Sequence, residues 1–272
     1  MLTVENVTYK TGKHTLVKDI SFMVQPGEIM VILGANGAGK SSLMRLLSAE
    51  KKLSAGSISL SGKALNSYTA KELALKRAIL NQQNIVNLDF SAMEIVQMGR
   101  YPHYGNKPMT HDLDIINEVM TVTGTTHMAD RSFLSLSGGE QQRVHLARVL
   151  AQIWDTPEAL LLLDEPVSGM DILYQQQTLS LAHMLAKKGF MVVAILHDIN
   201  LAAQYADNIM MLKNGRKWYH GAPADILSTK SIYDVFETEA DVFTNPNTLK
   251  QLIMPKVITH HLSEQNLKPF TL

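Results

Sequence analysis

Gly34-Ala35-Asn36-Gly37-Ala38-Gly39-Lys40-Ser41 follows the pattern G-x-x-x-x-G-K-S, and the residues on either side decide how it is read. Before it, the turn Pro26-Gly27 leads into an apolar run from Glu28 to Leu33 that reads as a buried strand. After it, Lys40 to about Ala49 carries Leu43, Leu46 and Leu47 on one helical face. A glycine-rich loop between a strand and a helix is the context a phosphate cradle requires. Glycines at 34, 37 and 39 let the backbone curl so that its N–H groups face phosphate oxygens, and the helix N-terminus adds partial positive charge. In this reading Lys40 reaches the β- and γ-phosphates of ATP, the Ser41 hydroxyl ligates Mg²⁺, and Gly34 through Ser42 form the binding loop. A simple glycine turn would explain the glycines but not the Lys-Ser pair at the helix start.

Working outward, Leu160-Leu161-Leu162-Leu163-Asp164-Glu165 is a leucine run that ends in two carboxylates. In an open parallel sheet, ligands collect at the carboxyl ends of strands. Asp164 is therefore expected to hold Mg²⁺, and Glu165 to orient and polarise an attacking water. Upstream of the loop, Thr3 to Tyr9 and Leu16 to Val24 read as strands joined by the turn-rich Lys10 to His14. Ser57 to Leu60 is a further short strand and Ala70 to Arg77 a short helix. From Phe90 to about Ser135 strands give way to helical patterns at Ala92 to Met98 and Leu113 to Val122. The α/β pattern resumes with helices at Gly139 to Gln152, Ile172 to Lys187 and Leu201 to Tyr205 and strands at Leu160 to Leu163 and Met191 to Leu196. Asn208 to Lys213, Asn214-Gly215 and Arg216 to His220 read as a hairpin, and the rest looks less regular. The expected fold is α/β: a mostly parallel core sheet, an N-terminal antiparallel β part and an inserted α-helical subdomain. The boundaries expected are a core of residues 1–89 and 136–255, an insertion at 90–135 and a tail at 256–272.

The 272 residues are 46% apolar and 18% charged, enough to fill a large core. Lysine plus arginine equals aspartate plus glutamate at 25 each, so no broad nucleic-acid footprint is expected. There is no cysteine, which excludes disulfides and thiolate metal sites. The start, Met1-Leu2-Thr3-Val4-Glu5, lacks the features of a secretory signal. The apolar runs Ala159 to Leu163 and Phe190 to Leu196 fall well short of the roughly 20 residues that span a bilayer. Any work on a membrane is thus expected to go through a partner that spans it.

Leu136-Ser137-Gly138-Gly139-Glu140-Gln141-Gln142-Arg143 resembles the signature motif of ABC-type ATPases. Ser137 and two glycines open a helix, which makes a second anion-binding terminus in a chain that already has one. The resemblance, which spans about Leu2 to Pro255, implies a head-to-tail dimer with a second copy. In it, Ser137, Gly138 and Gly139 of one subunit close on the γ-phosphate held by the other. It also implies that Gln82, in Asn81-Gln82-Gln83, is the glutamine that touches Mg²⁺ or water and couples to a membrane partner; Gln83 is the alternative. His197 resembles the switch histidine at the γ-phosphate, and Asp171 in Ser168-Gly169-Met170-Asp171 the D-loop aspartate. Tyr9 either stacks on adenine or packs in the core.

Glu94-Ile95-Val96-Gln97-Met98-Gly99-Arg100-Tyr101-Pro102-His103 is similar to the Gly-Arg-x-Pro-His stretch of importers for iron siderophores, heme and cobalamin. The stretch from His197 to Asp207 fits the same group, and Phe243-Thr244-Asn245-Pro246 with Leu252-Ile253-Met254-Pro255 resembles heme importers most. The resemblance implies ATP hydrolysis that energises heme uptake through a separate permease dimer, with a substrate-binding protein as indirect partner. It places the chain peripherally, at the cytoplasmic face of the inner membrane. Siderophore or cobalamin is the alternative cargo. A soluble non-transport ABC ATPase and an exporter subunit are the rival functions. His260-His261 is read as a solvated pair rather than a metal or heme ligand.

Overall fold

The computed structural model describes residues 1–81 and 88–257. Gln82 and His260-His261 lie outside the described residues. Strands β1 (Leu2–Thr11) and β2 (His14–Val24) pair antiparallel through a turn shorter than Lys10 to His14 suggests. Strand β3 (Ile29–Gly34) is wholly buried and runs into helix α1 (Lys40–Leu47). Next come β4 (Ala55–Leu60) and the two-residue β5 (Lys63–Ala64), completing an antiparallel sheet of order β2-β1-β4-β5.

Helix α2 (Ala70–Lys76) starts on a capping box of Thr69 and Glu72. The structure ends it before Arg77, where a strand that periodicity did not predict begins: β6 (Arg77–Leu80). Residues 88–137 contain α3 (Ala92–Met98), α4 (Thr110–Val122) and single 3-10 turns, with no strand beyond an isolated bridge between Ser91 and Ser132. Phe133 N–H donates to Phe90 O at 2.8 Å and Ala92 N–H to Arg131 O at 3.0 Å, so this stretch leaves the fold where it entered. Helix α5 (Gly138–Ile153) then leads to β7 (Leu160–Asp164), α6 (Ile172–Lys187), β8 (Met191–Ile195), α7 (Ile199–Tyr205), β9 (Asn208–Lys213) and β10 (Arg216–Gly221).

The second sheet has the order β10-β9-β3-β8-β7-β6, parallel except for β10. Its strands are near-continuous apolar runs because both faces are covered. Ile29, Val31 and Leu33 join the core beneath α3 to α6, while Met30 and Ile32 face the one shared with α1 and the antiparallel sheet. Leu161 and Leu163 against Leu160 and Leu162, and Val192 and Ala194 against Val193 and Ile195, divide the same way. The C-terminal part is more regular than its sequence suggests: α8 (Pro223–Ile226), α9 (Thr229–Phe236) and a hairpin of β11 (Ala240–Thr244) and β12 (Gln251–Pro255). The side-chain amide of Asn200, in the first turn of α7, donates to Ile253 O at 3.1 Å and accepts from Ile253 N–H at 2.7 Å, docking that hairpin. No helix among the described residues is long and apolar enough to cross a membrane.

Candidate functional site

The parallel sheet brings the carboxyl ends of β3, β8 and β7 side by side, with β8 in the middle. From β3 the chain turns through Ala35 to Gly39 into α1. Ala35, Asn36 and Gly37 are exposed, whereas Lys40 is buried. Gly39 caps the helix at φ +100°, and a Cβ there would lie 2.5 Å from Leu16 O, so only glycine fits the loop's closest approach to β2. The Asn214-Gly215 hairpin turn supports the loop from the far side: Gly215 N–H donates to Ala38 O at 3.0 Å. Both turn residues have positive φ, 50° and 72°, as a two-residue hairpin demands. Lys40 Nζ donates to Gly34 O at 2.8 Å and to Ala35 O at 3.1 Å, which curls the ammonium back over its own loop. Burial pushes Lys40 down from the ordinary lysine value, and the Glu165 and Asp164 carboxylates pull it partly back.

Asp164 ends β7 beside Ile195 of β8, and His197 stands two residues beyond that partner. The pairing brings Glu165 and His197 together, with His197 Nε2 and Glu165 Oε1 2.5 Å apart. Glu165 is largely buried and sits at φ +53°, a conformation that non-glycine residues seldom adopt, while His197 is half exposed. Burial, and after it the Glu165 carboxylate, push Asp164 up from the ordinary value against the opposing charges of Arg45, Lys40 and His197. Its Oδ1 is buried with no hydrogen-bond partner among the described residues. An anionic oxygen held this way, in a chain whose α1 carries the Ser41 hydroxyl in its first turn, fits a small hard cation such as Mg²⁺.

Ser137 and Asp171 lie elsewhere. Ser137 caps α5 in a reciprocal box with Glu140: Ser137 N–H donates to Glu140 Oε2 at 2.8 Å, and Ser137 Oγ accepts from Glu140 N–H. Asp171 caps α6, its Oδ1 accepting from Tyr174 N–H at 3.0 Å. The two caps face each other across an open groove of about 720 Å³, lined by Ser137, Gly138, Gly139, Ser168, Gly169 and Asp171 among others. None of its lining residues belongs to the phosphate loop. The two helix starts at which the sequence leads one to expect anions thus occupy separate places in one chain. Gln142 was missed in the sequence. Its Nε2 donates to Pro166 O at 3.2 Å, which fastens α5 to the strand end that carries Glu165. Gly215 reads from sequence as a hairpin residue; its contact with Ala38 spans 177 residues and leaves no local signal.

Two further expectations have definite surroundings. Tyr9 is half-buried against the core shared by α1 and the antiparallel sheet, opposite Val17 of β2. Arg100 of the Gly-Arg-x-Pro-His stretch is fully buried: Nε donates to Asp112 Oδ1 at 2.9 Å and Nη1 to Ala151 O and Asp155 Oδ1, each at 2.9 Å. It clasps α4 and α5, and His103 adds a contact to Gln152 O at 2.7 Å. Tyr101 remains exposed.

A phosphate loop at one strand end, paired acids and a histidine at the two beside it, and a mostly parallel sheet define a P-loop nucleotide-binding domain. The family model described as ABC transporter matches residues 17–168, and the chain belongs to that family. It is an ATP-binding, ABC-type ATPase. It is 40% identical over 258 residues to the hemin import ATP-binding protein HmuV of Gloeobacter violaceus, covering 94% of each chain. It is 42% identical over 250 residues to HmuV of Methylobacillus flagellatus, covering 91% of this chain and 93% of that one. Among solved structures it resembles a chain of a metal-chelate type ABC transporter in an inward-facing conformation (27% identity, TM-score 0.80, covering 94% and 97%). It also resembles a dimeric ATP-binding cassette in a post-hydrolysis state bound to ADP and Pi (26% identity, TM-score 0.72, covering 82% and 98%).

Proposed function

We propose that this chain is the ATP-hydrolysing subunit of a hemin importer, working as a head-to-tail pair beneath a separate membrane permease. The observation that carries the ATPase part of this reading is the Glu165–His197 contact at the strand ends flanking the Lys40 loop. The separate groove holding Ser137 and Asp171 supports pairing, because a second copy is what would bring it to a nucleotide. The identity to HmuV proteins over nearly the whole chain supports hemin as cargo and a permease as partner. A substrate-binding protein and a position on the cytoplasmic face of the inner membrane belong to the same reading.

Residues Gly34 to Ser42 hold the phosphates of ATP, and Tyr9, half-buried at the edge of its core, either stacks on the adenine or only packs there. Ser41 and Asp164, together with Gln82, would hold Mg²⁺, which supplies positive charge to the β- and γ-phosphate oxygens. Glu165 orients a water and accepts its proton as the oxygen attacks the γ-phosphorus. The bond from that phosphorus to the bridging oxygen breaks, leaving ADP and inorganic phosphate. His197 holds Glu165 in place and faces the developing charge, with Lys40 opposite. Ser137, Gly138 and Gly139 of the second copy close the pocket from outside. Residues 90–135 form the helical insertion that meets the permease, and closure on ATP moves it. The test is turnover of the chain purified with its native permease. Hemin should stimulate hydrolysis severalfold, whereas stimulation by ferric siderophore or cobalamin alone would reassign the cargo, and hydrolysis indifferent to the permease would overturn the transport reading.

A further inference from the structure

Arg143 and Tyr174 have no part in the reaction scheme, yet they join the two walls of the groove that holds the signature residues. Arg143 lies on α5 six residues past Ser137 and is 8% exposed, and its guanidinium stacks over the Tyr174 ring 3.8 Å from the centroid. Tyr174 belongs to the first turn of α6, where its N–H is the group that Asp171 caps. One contact therefore ties together the starts of two helices; Ser137 with the first turn of α5, and the loop 168–171 that leads into α6, are the two sides of one groove. Gln142, the preceding residue on α5, holds the near end of the second loop through Pro166 O at 3.2 Å.

The chemistry goes beyond filler. Arg143 Nε is buried without a hydrogen-bond partner among the described residues. Desolvating a guanidinium costs free energy unless something offsets it. An aromatic face does so, more strongly as water is removed, and guanidinium is the cation best suited to stack. An aliphatic pair would occupy the same space without that cost; a guanidinium held over a ring face adds an attraction that volume alone does not supply.

We infer that Arg143 and Tyr174 are a positioning pair that sets the spacing between the Ser137 and Asp171 loops, so that both engage the partner's nucleotide at once. The inference rests on the head-to-tail reading above. The experiment uses the full chain carrying Glu165→Gln and reads the ATP concentration that gives half-maximal dimer in size exclusion. Adding Tyr174→Leu should raise that concentration about tenfold, the equivalent of about 1.4 kcal/mol, while ATP affinity in dilute monomer stays unchanged. Tyr174→Phe keeps the ring and should remain within about twofold of the parent, since the stack needs the ring face and not the hydroxyl. Arg143→Met should match Tyr174→Leu, with the double variant no worse than either single one. Equal effects of leucine and phenylalanine, or fully additive losses, would overturn the positioning role. Should Tyr174→Leu lose monomer ATP binding, Arg143→Lys takes its place, because it keeps charge but not planarity; a wild-type dimer midpoint there also overturns the role. If the Glu165→Gln parent forms no ATP-dependent dimer, the pairing itself fails, and the inference falls with it.

Discussion

Asp164 shows how burying one carboxylate costs the fold stability. Burial and Glu165 raise its proton affinity in the folded state, so the folded chain holds that proton to higher pH than the unfolded chain does. The penalty is absent while Asp164 is protonated in both states, appears as pH rises past the ordinary carboxylate value near 3.8, and is complete above its raised value. Asp164→Asn should therefore melt at a higher temperature than the native chain at pH 7 without Mg²⁺, with the difference shrinking near pH 4. It should also lose the stabilisation that MgADP gives the native chain. Differential scanning calorimetry at the two pH values checks both statements. Glu165→Gln should lower kcat about 100- to 10,000-fold while ATP still binds, the range expected on losing a general base. Lys40→Ala should lose ATP binding as well, measured by titration. These candidates stand out in the sequence because each sits in a short local pattern at the end of an apolar run. The meeting of Glu165 with His197 was not, since it depends on β8 lying directly beside β7, a pairing between residues 32 apart.

At the scale of elements, Arg100 shows what spacing alone leaves out. The sequence marks Gly-Arg-x-Pro-His as a unit, but the partners of Arg100 stand 12, 51 and 55 residues away. Burial draws Asp155 upward, yet hydrogen bonds and charge from Arg100 outweigh it and hold the carboxyl at about 2. That stabilisation is present above the ordinary value of 3.8 and is lost as pH falls towards 2. Arg100→Ala leaves Asp112 buried without its cation and should cost about 3–5 kcal/mol in urea unfolding at pH 7. The deficit should narrow below about pH 4 as the carboxyls protonate. Gly99→Ala should also destabilise, because a Cβ there would lie 2.1 Å from Arg148 O, where α3 crosses α5. Short elements escaped the reading for related reasons. Strand β6 has four residues and follows α2 with no turn between them; Gln152 Nε2, donating to Ala74 O at 2.6 Å and Arg77 O at 3.0 Å, pins that junction from α5. Helix α9 ends on Glu237 at φ +57°, where a glycine would have announced the stop.

For the whole molecule, the separation of the Lys40 loop from the Ser137 groove underlies the proposal that nucleotide is cleaved between copies. In mixed dimers, Ser137→Arg on one subunit should impair cleavage of the ATP bound by its partner and spare its own. Pairing it with Lys40→Ala in the same subunit should silence both sites, and in opposite subunits only one, measured as phosphate released per dimer. The α/β class and the order of its parts could be read because strands covered on both faces must be continuously apolar, and Leu160 to Leu163 is such a run. The C-terminal hairpin could not: its docking depends on Asn200, whose amide mimics a neighbouring strand by serving both backbone groups of Ile253. That imitation makes the β11–β12 hairpin a built-in gauge. Deuterium uptake at the Ile253 amide reports how often the helix after His197 lifts away, so the state of the pocket can be followed from a remote ribbon with no label placed near ATP.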